Sequence, residues 1–341
     1  MCLSGPGPFG EGHRLDGYED ILRRANDSKY LYVILFSNEM NTWNKLHSAG
    51  SRMEDPNEIK PSWRYDNLGT HHLGDSTWKK LIQNHDSMRR ISNVELVDVV
   101  KSFPSTCSPF IAVGKDEGIL KWFVVKSAAS RHLLIMDLIV SRIGETFGHP
   151  VPAVELVELK QAFLDAYPSI LTPATHKAGI AFASSFLHGT VNLSCEEEHF
   201  PDSLENRTRI SMLGTLFGLM LPQDRQFLME RLAPYRISGI DFGQFLDGIF
   251  PTADSLYRLQ ISHPEVEPDK ALKNWSFVKS ELFNAAAGNI ELLTDELIGR
   301  IVAEPPDEWG IDLDLRVAIA DTIATRRNAM MDWRSKGGWK L

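Results

Sequence analysis

The stretch QDRQFLMERLAPYRISGIDFG, residues 223–243, contains two aspartates in different settings. Asp224 follows a helix stop at Pro222 and precedes an arginine on a predicted loop. Asp241 follows the short apolar strand RISGI, and Gly243 lets the chain turn sharply behind it. A loop aspartate beside a strand is well placed to face a cleft, and an aspartate at a strand end can reach a metal ion as a hard oxygen ligand.

A lysine and an acid earlier in the chain extend this pattern. Lys126 ends the apolar strand ILKWFVVK, and Asp137 lies on the helix predicted from about residue 131 to 147. Each residue alone has an ordinary explanation, since a strand-end lysine is usually solvated and Asp224 could cap a helix or form a turn. The order of strand lysine, helix acid, loop aspartate and strand-end aspartate indicates phosphoryl transfer. That chemistry needs positive charge on phosphates, metal ions and a carboxylate that orients the attacking hydroxyl.

From about residue 92 to 327 the chain resembles the HipA-like kinase family, which has a protein-kinase-like fold. The segment MDLIVSRIGETFGHPVP is similar to the family's NELxAxRLAxxLGLPVP, with aspartate in place of glutamate. LPQDRQFL is similar to NxDRxxxNxL, YRISGIDFGQFL to xxxIDFGxAF, and IVAEPPDEWGID to the segment that contains IPxEW. The segment KAGIAFASSFL resembles the one that leads to the hinge between the lobes. The shared order of five motifs carries the resemblance.

The resemblance implies a role for each matching residue. Lys126 would contact the α- and β-phosphates of ATP, and Asp137 would orient Lys126. Asp224 would be the catalytic base, and Asp241 would bind Mg²⁺. The implied protein is an ATP-dependent serine/threonine-type kinase, a toxin or a stress or defence regulator, that acts on a protein substrate or binds an antitoxin-like partner.

The loop SFPSTCSPF lies where a phosphate-covering loop is expected, and we expect backbone N–H groups around Ser105 to Ser108 to bind phosphate, although the loop lacks the Gly-x-Gly of ordinary protein kinases. Two features depart from the family pattern. The family's asparagine before the Asp-Arg pair is replaced, because the chain there reads Leu221-Pro222-Gln223. Met229 stands five residues after Asp224, where the family has a metal-binding asparagine, and a thioether is a poor ligand for Mg²⁺. We predict that the adjacent Glu230 substitutes for it. If Glu230 cannot reach, the alternative is a pseudokinase that acts as a nucleotide-binding or protein-interaction module.

Composition excludes several classes of protein. The 341 residues are 43% hydrophobic, which is enough for a sizeable core, and the net charge of −9 argues against a broad nucleic-acid surface. The three cysteines, Cys2, Cys107 and Cys195, are far apart and form no CxxC pair, so a zinc ribbon or a disulfide framework is not expected. No apolar run reaches the ~18 residues that span a bilayer, and no signal peptide is recognisable. We therefore expect a cytoplasmic protein without a membrane partner.

The pattern along the chain predicts an α+β protein of two lobes. Residues 1–90, which include the predicted strand YLYVILF, form an N-terminal region of unknown role. Residues 91–185 form a small β-rich lobe with one helix, and residues 186–341 form a larger helical lobe. A cleft between two such lobes is a common ligand site. The same pattern remains compatible with an α+β protein unrelated to kinases.

Overall fold

The computed structural model describes most of the chain beyond residue 73. The described residues are 74–86, 90–105, 107–127, 132–193, 201–246, 251–273 and 279–339. The strand predicted at YLYVILF lies outside them. A β-sheet half precedes a mainly helical half, so the α+β prediction is confirmed. Within the described residues, no helix combines the length and the apolar character needed to cross a bilayer.

The first half is an antiparallel sheet with the strand order β1-β2-β3-β5-β4. Its strands are β1 (Glu95–Ser102), β2 (Phe110–Asp116), β3 (Ile119–Lys126), β4 (Val154–Leu159) and β5 (Gly179–Ser185). The predicted hairpin is β2–β3, but its loop is shorter than GKDEG because only Glu117 and Gly118 lie between the strands. Both have positive φ angles, 46° and 88°, as a two-residue turn between right-twisted strands requires. This short turn fixes the register that places Lys126 at the inner end of β3.

The described chain also contains nine α-helices, two short 3-10 helices (Asn289–Leu292 and Asp307–Trp309) and a second sheet. The helices are α1 (Asp75–Asp86), α2 (His132–Thr146), α3 (Gln161–Ala166), α4 (Leu204–Met220), α5 (Ala253–Ser262), α6 (Lys270–Lys273), α7 (Ser280–Gly288), α8 (Asp295–Ala303) and α9 (Leu313–Ser335). The second sheet has the order β6-β7-β8, with β6 (Thr190–Asn192), β7 (Gln226–Glu230) and β8 (Ile237–Ile240). Strand β8 was predicted, whereas β7 was interpreted as loop.

Helix α2 joins the two halves. Its apolar residues from Leu134 onward are buried in the same core cluster as the helical half, while the sheet buries a separate cluster around Phe110 and Val157. The helix ends where predicted, because Gly148 adopts a φ of 65° and Pro150 cannot continue a helix. The Pro150 carbonyl then accepts the N–H of Gly239 on β8 at 2.9 Å. The helix that carries Asp137 is thereby fixed against the strand that precedes Asp241.

Helix α1 packs on the helical half, although it lies within residues 1–90, the region to which the sequence assigned no role. Trp78 and Ile82 are buried in the large cluster, and α1 lies against α8 and α9. Burial of two large apolar side chains contributes about 2–3 kcal/mol each. Residues 75–86 are therefore part of the folded core.

Candidate active site

Lys126 lies at the centre of a buried ion-pair cluster. Its Nζ donates to Asp137 Oδ2 at 2.7 Å and to Asp241 Oδ1 at 2.6 Å. The side chains of Lys126 and Asp137 are 5% and 2% exposed, whereas Asp241 is 25% exposed. The strand lysine, the helix acid and the strand-end acid predicted from the sequence therefore meet at one point, on the boundary between the two halves.

Burial and charge act against each other in this cluster. Burial alone would lower the pKa of the Lys126 ammonium, but the Asp137 and Asp241 carboxylates outweigh burial and raise it, so the lysine stays charged. Burial raises the pKa of the Asp137 carboxyl to about 6, although the Lys126 ammonium acts in the opposite direction. One cation between two carboxylates leaves a local excess of negative charge. A phosphate can enter this site only together with further positive charge.

The turn at Asp241 is held by helix α2. Asp241 adopts a φ of 57°, a left-handed conformation, and the N–H of the next residue, Phe242, donates to Asp137 Oδ1 at 2.6 Å. The backbone of Gly243 lies close to helix α2, since a Cβ at this position would be 3.1 Å from the Leu133 carbonyl oxygen. Asp137 therefore uses one oxygen to hold Lys126 and the other to hold the turn.

Buried phenylalanines fix both aspartate segments to helix α4. Phe227 follows the first segment and Phe242 follows the second, and both rings pack against Phe217 of α4, with centroids 5.8 Å and 6.3 Å away. Phe245 completes the cluster at 5.3 Å from Phe217. Aromatic pairs of this kind contribute about 0.5–1.5 kcal/mol each beyond their buried area. The two aspartates are thus brought together by the apolar residues beside them.

The loop that carries Asp224 is short and is anchored at both ends. Helix α4 ends at Leu221, which has a φ of 46°, and strand β7 begins only a few residues later. The guanidinium of Arg326 on α9 donates to the carbonyls of Gly218 and Leu219, at 2.8 Å and 2.6 Å, and so caps the last turn of α4. Arg225 forms an ion pair of 2.7 Å with Asp269.

Gln226 connects the two aspartates, and the sequence interpretation did not include it. Its amide Nε2 donates to Asp224 Oδ2 at 2.8 Å and to Asp241 Oδ2 at 3.2 Å. Gln226 is 9% exposed, and its Oε1 is buried without a hydrogen-bond donor in the described part of the chain. Such an unsatisfied atom costs about 1–3 kcal/mol. The sequence offers only a weak signal for this residue, the short apolar run FLM that follows it.

Met229 and Glu230 lie on strand β7 and do not reach the cleft. Met229 pairs with Val191 and Ile237 across the second sheet. The Glu230 carboxylate accepts the N–H of Arg236 at 3.4 Å and lies 3.7 Å from its guanidinium. The prediction assumed that the loop extends to Met229, but the strand starts three residues earlier. The structure therefore does not bring Glu230 to Asp241.

The segment between β1 and β2 covers the cleft. Ser105, Cys107 and Pro109 line it together with Lys126 and both aspartates, around a cavity of about 10 Å³. Ser108 does not line it, because its N–H and its hydroxyl both donate to the Ser105 carbonyl, at 3.0 Å and 3.1 Å. About 10–15 Å³ holds one water molecule. The cleft must therefore widen before a triphosphate can enter.

Two solved structures that resemble this fold are kinases. A proinflammatory kinase of Helicobacter pylori, CtkA, superposes with a TM-score of 0.50 at 11% sequence identity, over 74% of this chain and 99% of that chain. The Golgi casein kinase superposes with a TM-score of 0.36 at 11% identity, over 90% of this chain and 93% of that chain. Neither a family model nor a curated protein matches the sequence. The first similarity shows a kinase-like fold, and the two-lobed prediction is confirmed.

Proposed function

We propose that this protein is an ATP-dependent phosphotransferase. The observation that carries the proposal is the contact of one buried lysine, Lys126, with Asp137 and Asp241 at 2.7 Å and 2.6 Å, in a cleft that also contains Asp224. An ion-pair cluster with this much desolvated charge is costly to build and is common at functional sites. The kinase-like fold supports a phosphoryl donor as the ligand.

Each residue has a defined task in this proposal. Lys126 binds phosphate oxygens of ATP through its ammonium, and Asp137 orients it. Asp224, which is half-buried and hydrogen-bonded to Gln226, accepts or aligns the proton of the attacking hydroxyl. Ser105, which lines the cleft, would lie beside the bound phosphates. Bound Mg²⁺ would supply positive charge across the phosphates.

The oxygen atoms around the two aspartates fit Mg²⁺. Mg²⁺ prefers hard oxygen ligands. No cluster of three or more His, Cys, Asp or Glu suited to a metal ion occurs in the described part of the chain, so a third protein ligand has to be another group. The buried Gln226 Oε1 is such a group, since amide oxygen and nitrogen exchange places by a half-turn of the side chain. Asp241, Asp224 and Gln226 would hold the ion, in place of the predicted Asp241 and Glu230.

The HipA-like motifs also suggest which group accepts the phosphate and which cellular role the protein has. A serine or threonine hydroxyl of a protein is the acceptor that such a kinase would use. A toxin, stress or defence role in the cytoplasm, with an antitoxin-like partner, is consistent with the same resemblance. These parts of the proposal rest on the motifs between residues 92 and 327.

A second candidate function is that of a pseudokinase. The shortened loop, the methionine in place of the family's asparagine and the narrow cavity of about 10 Å³ favour it. In that case the protein would bind nucleotide without a metal and serve as an interaction module. The two functions differ in how nucleotide binding depends on Mg²⁺.

Thermal unfolding with ATP, with and without Mg²⁺, tests the proposal. We expect ATP with Mg²⁺ to raise the melting temperature by about 5 °C more than ATP alone at roughly 100 times Kd. Asp241→Asn should abolish this difference, whereas the control Asp116→Asn, an acid in an exposed pair with Lys121, should retain it. A metal-independent rise would support the pseudokinase. No rise with ATP would contradict both candidates.

A further inference from the structure

A second cleft opens beside the loop that carries Asp224. Its volume is about 610 Å³, large enough for several side chains. One wall consists of Leu221, Pro222 and Gln223, which directly precede the proposed base. The other wall is one face of helix α5 and its end, lined by Ser255, Arg258, Leu259, Ser262 and His263. The helical positions are spaced by three, four and seven residues, as residues on one face of a helix are.

This cleft lies on the acceptor side of the proposed site. The phosphate side of the loop is the narrow cavity lined by Lys126, Asp224 and Asp241. The N–H of Gln223, which lines the second cleft, donates at 2.9 Å to the carbonyl of Gln244, which lines the narrow cavity, so the two spaces adjoin along this contact. We take the acceptor hydroxyl to reach Asp224 from the side of the second cleft. The residues that flank the hydroxyl would then lie against the second cleft.

The chemistry of the lining is basic, in contrast to the chain as a whole. The protein carries a net charge of −9, yet none of the described residues that line this cleft is acidic. Arg258 is exposed, and no hydrogen bond or ion pair from the described residues reaches its guanidinium. Asp254, one turn earlier on α5, lies outside the lining. The Ser255 and Ser262 hydroxyls are engaged within their own segments, which leaves Arg258 as the group available to a ligand.

We propose that this cleft binds an acidic segment of the phospho-acceptor protein, with Arg258 pairing a carboxylate next to the accepting serine or threonine. The inference rests on the proposed phosphotransferase function and adds the class of substrate. A guanidinium suits a carboxylate because its planar donors match the two oxygens. An acidic segment would also be repelled elsewhere on a surface of net negative charge, which favours docking at this site.

Peptide binding tests the inference without turnover. The probes are two fluorescein-labelled peptides, each with one serine, flanked by glutamates in one and by alanines in the other. We expect the wild-type protein with ATP and Mg²⁺ to prefer the glutamate peptide in fluorescence anisotropy. Arg258→Ala should weaken that binding by about fivefold, the size expected for one exposed charge contact, and Arg258→Glu should weaken it further. Arg300→Ala removes an exposed arginine on α8, away from both clefts, and should change nothing.

Phosphate transfer to the same peptides separates this inference from the proposed function. For Arg258→Ala, we expect the kcat/KM for the glutamate peptide to fall relative to that for the alanine peptide, because the KM for the glutamate peptide rises. Transfer to both peptides without acidic preference, unchanged by Arg258→Glu, would overturn the acidic subsite and leave the kinase proposal standing. Binding that depends on Arg258 without any transfer would support the subsite and contradict the kinase. If a single-stranded oligonucleotide displaced the labelled glutamate peptide as well as the unlabelled peptide does, the assignment of this cleft to a peptide would be overturned.

Discussion

The two sides of the narrow cleft hold their carboxylates with different groups. On the lysine side, Asp137 and Asp241 share the ammonium of Lys126, and Asp137 also accepts the N–H of Phe242, so these contacts link a strand, a helix and a turn. On the loop side, Asp224 accepts the amide of Gln226 and the backbone N–H of Arg225, both from neighbouring residues. A buried ion pair holds its geometry without a ligand. A neutral amide between two carboxylates can be displaced by a cation. We therefore call the lysine side the fixed side, and the loop side the adaptable side, because only the loop side changes when a cation binds.

The largest effect should come from removing the lysine. Lys126→Met leaves the buried Asp137 and the partly buried Asp241 without their cation, and we expect a loss of about 3–5 kcal/mol in the free energy of unfolding, measured in urea. The matched control is Lys121→Met on the same strand, whose pair with Asp116 is largely exposed, with an expected loss of at most ~1 kcal/mol.

The same variant should respond to pH. The pKa of Asp137 is already raised to about 6 by burial, and loss of the ammonium raises it further. A carboxyl whose pKa is higher in the folded than in the unfolded state binds its proton more tightly when folded, so stability rises as pH falls through that window. Lys126→Met should therefore recover part of its loss between pH 8 and pH 5. Equal losses in Lys126→Met and Lys121→Met would remove the distinction between a fixed side and an adaptable side.

A smaller effect is expected from His149, a buried histidine that follows helix α2. The ring of His149 is 5% exposed, neither nitrogen has a partner in the described part of the chain, and burial lowers its pKa to about 4. The unfolded chain binds the proton near pH 6.5, so stability is lost as pH falls from there towards 4, by about 2 kcal/mol at pH 5. His149→Leu should reduce the difference in unfolding free energy between pH 7.5 and pH 5 by that amount.

The control for this measurement is His263→Leu, an exposed histidine at the end of α5, which should keep the pH dependence of the parent. Comparing each variant with the parent at both pH values cancels the opposite contribution of Asp137. If His149→Leu keeps the full pH dependence, the buried ring is not its source.

The sequence predicted the fixed side because regular elements carry it. Lys126 ends a strand whose apolar pattern was recognisable, Asp137 lies on a helix bounded by Gly148, and Asp241 follows a strand. Periodicity locates such elements, and their order along the chain then determines which ends meet. The distances and the use of both Asp137 oxygens could not be predicted, since they depend on how α2 packs against β8.

The loop side was predicted only in part, because its interpretation depended on counting residues along an irregular segment. Asp224 lines the cleft, but the fifth residue after it, expected on the same loop, lies on a strand. Because the strand begins early, the loop is shorter and a different side chain faces the cleft. The spacing of apolar residues in the sequence does not reveal the length of a loop. The three apolar residues after Gln226 are too few to separate a strand from a loop. Only the pairing with β6 and β8 establishes β7.

The smallest predicted effect decides which residue completes the loop side. Gln226→Leu removes the amide but keeps a similar volume, and we expect Mn²⁺ binding in the presence of a non-hydrolysable ATP analogue to weaken by about tenfold, equivalent to ~1.4 kcal/mol. Glu230→Gln should leave the affinity unchanged, because that carboxylate contacts Arg236 on the second sheet. Electron paramagnetic resonance of free Mn²⁺ measures both without turnover. The reverse result, a loss with Glu230→Gln and none with Gln226→Leu, would require β7 to shift in register when metal binds. The loop side would then be adaptable in its backbone as well as in one side-chain amide.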